Sequence, residues 1–324
     1  MASRSNSSTN RPNHRLPGGA VNRPQNHVLP GASKTKLRRD VGPHDMGSDA
    51  MTTDNKVVLF VDVLGFAALT ESYPLDVDRC MVGDRPLDYQ FSEIFSEAFK
   101  SPRNELAHTF SGFHHSLRSI LYYARMWHHL TAITFSDSVF VATTHAYEAV
   151  NIAIDLLQTL MPQKIPVRMG IAYGTFAAIR FRSDITPDSG DHAAQFLGTA
   201  VVRAHATETC GIKGLRILLH PSVMPLLKDV LHKPMSIGGR SYPLRYLECS
   251  EKERLNKACV LNEIDYWHLP PTREAKAWRG LQDMWNKAPL SEVEHYEVTA
   301  EAINRMRIAQ GHEPLKKLRR RTLP

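Results

Sequence analysis

The 324-residue sequence has no run of about 18 apolar residues, so nothing in it predicts a membrane-spanning helix. It has little cysteine. Cys80, Cys210, Cys249 and Cys259 are too sparse for a disulfide scaffold and form no C-x-x-C pair, which favours free thiols in a reducing cytoplasm. The N-terminus is polar and lacks the apolar stretch of a secretory signal. Residues 1–54 also lack aromatics and any periodic apolar pattern, and they carry Pro, Gly, Asn and Ser throughout. Such a segment cannot bury enough surface to offset its ordering entropy, so it is expected to be a disordered basic tail. Met46 and Met51 stand just before the first structured run and are candidate translation starts.

The net charge of +7 is unevenly placed. Residues 1–45 hold eight Lys/Arg against Asp40 and Asp45, and the end of the chain holds Lys316, Lys317, Arg319, Arg320 and Arg321. What lies between is mildly acidic. The basicity is therefore a property of solvated tails, and no basic face interleaved with aromatics points to nucleic acid.

The first strong element is KVVLFVDVLGF. Val57–Val63 is a β-branched run without polar alternation, as expected for a strand covered on both faces. Helices are expected around Tyr89–Phe99 and over His114–His129. The stretch ITFSDSVFVAT reads as a hairpin with Asp137 at its tip. Helical spacing covers 146–160, and a strand runs from Val167 to Tyr173, ended by Gly174. Residues 183–193 form a polar loop. Gly198 opens a helix with Gly211 as its C-cap, Leu215–Leu219 is a strand and Pro221–Leu231 a helix. The order predicts an α/β sandwich, one mixed sheet packed with helices, over residues 55–270. A helical extension follows from 271 to 324, with helices at about 272–287 and 291–310.

Two acids intrude into apolar runs. An unpaired carboxylate at Asp62, inside VVLFVDVLGF, would cost several kcal/mol of desolvation. Asp137 lies likewise between TAITF and SVFVA. Two such acids on adjacent strands either share a divalent cation, which prefers oxygen ligands, or pair separately with a buried Arg such as Arg168 or with backbone amides. Gly65 adds a turn directly after Asp62 that could present backbone N–H groups to a phosphate. Phe60 shares a strand face with Asp62 and either floors a nucleotide pocket or simply packs. Arg168 reaches either a phosphate or a carboxylate.

These residues resemble the class III nucleotidyl cyclases. That family opens with F-x-D-[IVL]-x-G-F, here Phe60, Asp62, Val63, Gly65 and Phe66. A second metal Asp lies in a hairpin, here Phe135-Ser136-Asp137-Ser138. A later strand reads R-x-G-I-x-x-G, here Arg168, Gly170, Ile171 and Gly174, and a helix opens at Gly198 with Val201, Ala204 and Glu208. The resemblance covers residues 56–225. It implies two metal ions, Mn²⁺ or Mg²⁺, on Asp62, Asp137 and the Val63 carbonyl, and phosphates on the N–H groups of Leu64, Gly65 and Phe66. It implies attack of a ribose 3′-hydroxyl on the α-phosphate, and a homodimer with sites at the interface.

The sequence departs from the family where the base is read. The purine-reading Lys is replaced by Ile133 and its partner Asp by Gln195, and the helix Asn and Arg align with Val202 and Ala206. Arg203 and His205 are nearby substitutes, but helix phase turns them away from the 202/206 face. This pattern is similar to the pyrimidine cyclases of bacterial Pycsar anti-phage systems. That resemblance implies UTP, or CTP, as substrate, and a cyclic-nucleotide-sensing effector acting through the product. The open alternatives are a purine cyclase with an altered pocket and a silent nucleotide-binding module. His114, His115, His128 and His129 are read as surface or interface residues, since adjacent helical histidines diverge by about 100°.

Overall fold

A computed structural model describes residues 54–72, 105–125, 130–182, 192–228, 234–237, 240–250 and 262–319. The expected tail, the expected helix at Tyr89–Phe99, His128, His129 and most of the polar loop lie outside these residues. The tail's expected end does not hold to the residue, because Asp54 already opens the first strand.

That strand, β1 (Asp54–Val63), lies at the centre of a mixed sheet. Helix α1 (Phe66–Ser72) follows the glycine turn, and α2 (Glu105–Arg125) precedes the hairpin of β2 (Thr131–Thr134) and β3 (Ser138–Thr143). Next come α3 (Ala146–Leu160), β4 (Val167–Arg182), β5 (His192–Leu197), α4 (Thr199–Glu208) and β6 (Ile217–Leu219). A short helix α5 (Met224–Lys228) leads to a two-stranded ribbon, β7 (Pro234–Ile237) with β8 (Arg240–Pro243). The chain then adds β9 (Tyr246–Glu248), β10 (Asn262–Ile264), α6 (Pro271–Lys287) and α7 (Val293–Ala309).

The main sheet runs β2-β3-β1-β4-β6-β10-β9, with β5 paired to the far half of β4. Among the described residues only β4 and β6 pair in parallel; the other pairs are antiparallel. This is the mixed sheet packed with helices that the element order predicts. Among the described residues no helix is long and apolar enough to cross a membrane.

The alternation along β1 explains its unbroken apolar sequence. Val57, Leu59, Val61 and Val63 enter the large core beneath α2, α3, α6 and α7. Val58 and Phe60 enter a second core with Phe140, Ala200 and Ala204, beneath α4. Both faces are covered, so no polar residue is needed until Asp62, where the second face reaches the end of the sheet. The C-terminal helices share the large core through Ala277, Leu281, Tyr296, Ile303 and Met306. They are also tied by charge: Glu263 on β10, with no exposed surface, receives Arg216 at 2.6 Å and Arg305 of α7 at 2.8 Å.

Gly174 does not end β4, contrary to the expectation above; the strand continues to Arg182. Its glycines serve a different need. A Cβ on Gly170 would stand 2.3 Å from the carbonyl oxygen of Ala204, and one on Gly174 2.3 Å from Thr199 Oγ1. Gly198, at φ 139°, leaves no room for a Cβ either, since it would meet the Thr175 carbonyl at 2.1 Å. The R-x-G-I-x-x-G pattern is thus a groove in β4 on which α4 lies at backbone contact. Gly211 is likewise not the C-cap; α4 is capped at Thr209, two residues earlier.

Gly170→Ala is expected to lower unfolding free energy by about 1–3 kcal/mol, because the added methyl meets backbone that has no rotamer to move. Urea denaturation measures this, and a neutral Ala there would mean that α4 does not sit so close.

Candidate active site

Three neighbouring strands bring the acids together. Asp62 is opposite Ser138 on β3 and opposite Arg168 on β4. The Val63 N–H donates to the carbonyl of Asp137 at 2.9 Å, which fixes the hairpin tip against the end of β1. The tip is closed by Phe135 N–H donating to the Ser138 carbonyl at 2.8 Å. It is braced from α2, where His114 Nε2 lies 3.1 Å from the Ser136 carbonyl oxygen. Of the four histidines read as surface residues, this one buttresses the loop that carries Asp137.

The charges do not balance. Arg168 reaches Glu208 of α4 at 2.5 Å and Asp62 at 3.7 Å, so one guanidinium is shared by two carboxylates. Glu208 is almost fully buried. Its carboxyl is pushed up to about 7 by burial, which Arg168 opposes and Asp62 reinforces. The Asp62 carboxyl is also raised, first by burial; Arg168 and His205 oppose this and the charge of Asp137 adds to it. A raised Glu208 beside so close a guanidinium looks contradictory. Burial of the carboxyl outweighs the guanidinium that it shares with Asp62, and the Asp62 charge adds to the rise. Arg168 therefore acts first as a structural ion pair.

This donor set fits a divalent cation. At the end of β1 the Asp137 carboxylate is near enough to act on the charge of Asp62, and hard cations take such oxygen ligands. Among the described residues no group of three or more His, Cys, Asp or Glu could hold a metal. Two carboxylates with a backbone carbonyl, completed by substrate and water, are the set on offer.

The glycine turn differs in part from expectation. The Leu64 N–H donates to the Pro166 carbonyl at 2.9 Å, so it is engaged in the sheet and cannot also hold phosphate. The Phe66 side chain is buried in the large core, tilted against Phe110 at 6.5 Å. Gly65 takes φ 77°, and its open side faces the Glu292 carboxylate just before α7. The N–H groups of Gly65 and Phe66 remain as the donors at this turn. A 320 Å³ cavity opens beside it, walled by Leu64, Gly65, Leu69, Glu292 and Tyr296, and neither Asp62 nor Asp137 lines it.

Phe60 packs. It stacks on Phe140 at 4.4 Å, and Phe140 in turn meets Phe196 at 4.9 Å. Ile133 and Val201 pack against the same cluster, so the place where a purine-reading Lys would stand is apolar. On α4, Val202 and Ala206 face solvent, Val202 with 68% of its surface exposed. Arg203 is turned to the other flank and donates to the Tyr173 carbonyl at 2.9 Å. His205, which helix phase seemed to remove, faces β1 and lies 5.2 Å from the Phe60 ring. Helix phase alone separates residues 203 and 205 from the 202/206 face, but which flank lies over Phe60 depends on how the helix docks.

No protein-family model matches the sequence, and comparison with curated proteins finds no match. Among solved structures the chain is similar to the guanylyl cyclase Cya2, with 13% identity over 66% of this chain and 93% of the other, at a TM-score of 0.40. It is similar to the adenylyl cyclase CyaB from P. aeruginosa, with 17% identity over 65% and 95%, at 0.39. A third is a guanylate cyclase domain from Catenaria anguillulae in complex with GTP, with 14% identity over 65% and 95%, at 0.39. All three are nucleotidyl cyclases.

The Glu208 carboxyl makes folding pH-dependent. Its folded pKa of about 7 lies above the ordinary 4.5, so the folded chain holds the extra proton and stability declines as pH rises between these values. The loss is on the order of 3 kcal/mol. With chelator present, denaturation of wild type and Glu208→Gln from pH 4 to 8 is expected to show a steeper decline in the wild type, since the raised carboxyls of Asp62 and Asp155 contribute in both. Parallel curves would mean that Arg168 fully compensates Glu208.

Proposed function

We propose that the chain is a metal-dependent nucleotidyl cyclase that converts a pyrimidine nucleoside triphosphate, UTP first, into its 3′,5′-cyclic nucleotide and pyrophosphate. The observation that carries this reading is the convergence of Asp62 and Asp137 at the end of β1 with only one guanidinium among three carboxylates. Two divalent ions, Mn²⁺ or Mg²⁺, held by these acids and the Val63 carbonyl, would make the ribose 3′-hydroxyl a better nucleophile and neutralise phosphate charge. The 3′-hydroxyl loses its proton to solvent as its oxygen bonds to the α-phosphorus, the bond to the bridging oxygen breaks, and pyrophosphate leaves with the electron pair.

The chain's own residues orient this chemistry. The hydrogen bond from Val63 to Asp137 sets the spacing of the acids. Gly65 and Phe66 offer N–H groups to the outer phosphates. The shared Arg168 keeps Asp62 pointed along the sheet end while leaving its charge incompletely compensated. Ile133 and the Phe60–Phe140 cluster supply an apolar wall for the base without a purine-reading cation. This supports a changed base preference, and with the motif pattern it favours a pyrimidine. The product would act as a second messenger in phage defence through a cyclic-nucleotide-sensing effector.

Incubation of the purified chain with Mn²⁺ and each of the four ribonucleoside triphosphates, followed by mass spectrometry, tests the reading. Cyclic UMP is the expected product. Cyclic AMP or GMP alone would move the reading to a purine cyclase, and bound nucleotide without product to a silent module. Asp62→Ala or Asp137→Ala is expected to lower turnover by about a thousandfold or more with an unchanged circular-dichroism spectrum, since each ion contributes several kcal/mol to the transition state.

A homodimer completes the proposal. Val202 and Phe135 are large apolar side chains exposed by 68% and 45% on or near the α4 side of the sheet. A second copy covering them would bury surface that water solvates poorly. Val202→Arg is expected to shift the sedimenting species from dimer to monomer and to abolish turnover. A monomeric, active wild type would remove the dimer.

A further inference from the structure

We propose that His205 is a substrate-contacting residue of this site, donating a ring N–H to the nucleotide held beside Asp62. The proposal rests on the cyclase reading above and deepens it.

The placement of α4 carries the argument. Ala200, Ala204, Thr207 and Glu208 are buried against the sheet, and the glycine groove in β4 fixes how the helix is rotated. Residue 205 follows Ala204 by about 100° around the helix axis, which turns it to one flank, while residue 203 turns to the other. The structure agrees on both sides: Arg203 reaches Tyr173 on β4, and the His205 ring tilts over Phe60 on β1 at 5.2 Å and 50°. Phe60 precedes Asp62 by two residues on the same strand face. His205 is close enough to Asp62 to act on its charge.

The chemistry of the neighbours singles it out. Arg168 is held by Glu208 and Asp62, and Arg203 by a backbone carbonyl. Val202 and Ala206 have no donors. His205 is exposed, and its ring nitrogens make no hydrogen bond among the described residues. An imidazole carries at least one N–H whether neutral or charged, so the role does not depend on its protonation. Contact with the Phe60 ring restricts its orientation and lowers the entropy lost when it engages a ligand. A nucleotide whose phosphates meet cations held by the acids would find this N–H as a free donor on the flank of α4 that faces β1.

His205→Phe keeps a ring on Phe60 and removes the donors; His205→Asn keeps a donor without the ring. The four triphosphates are assayed with Mn²⁺ by product formation, and in parallel by calorimetric binding. His205→Phe is expected to lower kcat/KM, and binding of the preferred triphosphate, by about tenfold to a hundredfold, the range for a lost hydrogen bond to a charged group. His205→Asn is expected to recover most of that loss, with all thermal midpoints equal. If the wild type turns over and His205→Phe matches it within about twofold, the proposal is overturned and the cyclase reading stands. If His205→Asn is as poor as His205→Phe, the donor role is overturned. If the wild type binds none of the four triphosphates with Mn²⁺, the cyclase reading and this proposal fall together.

Discussion

The close approach of α4 to β4 governs the rest of the site. Helices normally pack on sheets at side-chain distance. Here Gly170, Gly174 and Gly198 remove the intervening atoms, and the helix backbone sits on the strand. That contact sets the height and rotation of α4, and with them the depth of Glu208. Glu208 in turn draws Arg168 away from Asp62. Without the glycines the helix would ride higher, and Glu208 would take a smaller share of the Arg168 guanidinium from Asp62. The electrostatics of the site is thus a consequence of a packing distance.

The second determinant is the antiparallel placement of β1 between β3 and β4. Opposed residues share a face, so Phe60 meets Phe140 and Asp62 meets Ser138 and Arg168. The sheet end therefore collects polar groups on the same side on which its interior collects aromatics. An apolar wall and a charged end lie next to each other because two neighbouring strands change character at the same register.

Much of this was legible in the sequence. The unbroken apolar run of β1, the hairpin tip at Asp137 and the helices at 146–160 and in the C-terminal region follow from periodicity and strand composition. What was misread depended on partners far away in the chain. Gly174 looks like a strand terminator until a helix is placed on it, because glycine serves turns and close approaches equally well. His205 looks misdirected until the docked flank of α4 is known. Leu64 looks like a free donor until Pro166 is seen to accept its N–H. Glu292 is silent in sequence, since nothing near it predicts a place beside Gly65. Arg168 suits a phosphate or an ion pair equally in sequence, and the burial of Glu208 tips it toward the pair.

The charge tie at Glu263 bears on the chain's modularity. Arg305 lies more than forty residues beyond Glu263, in the last helix, yet it completes the neutralisation of a carboxylate sealed within the sheet. A seam at residue 270 would run through that ion cluster, so residues 55–270 could not be transplanted into a fusion or a chimera without carrying α7 along.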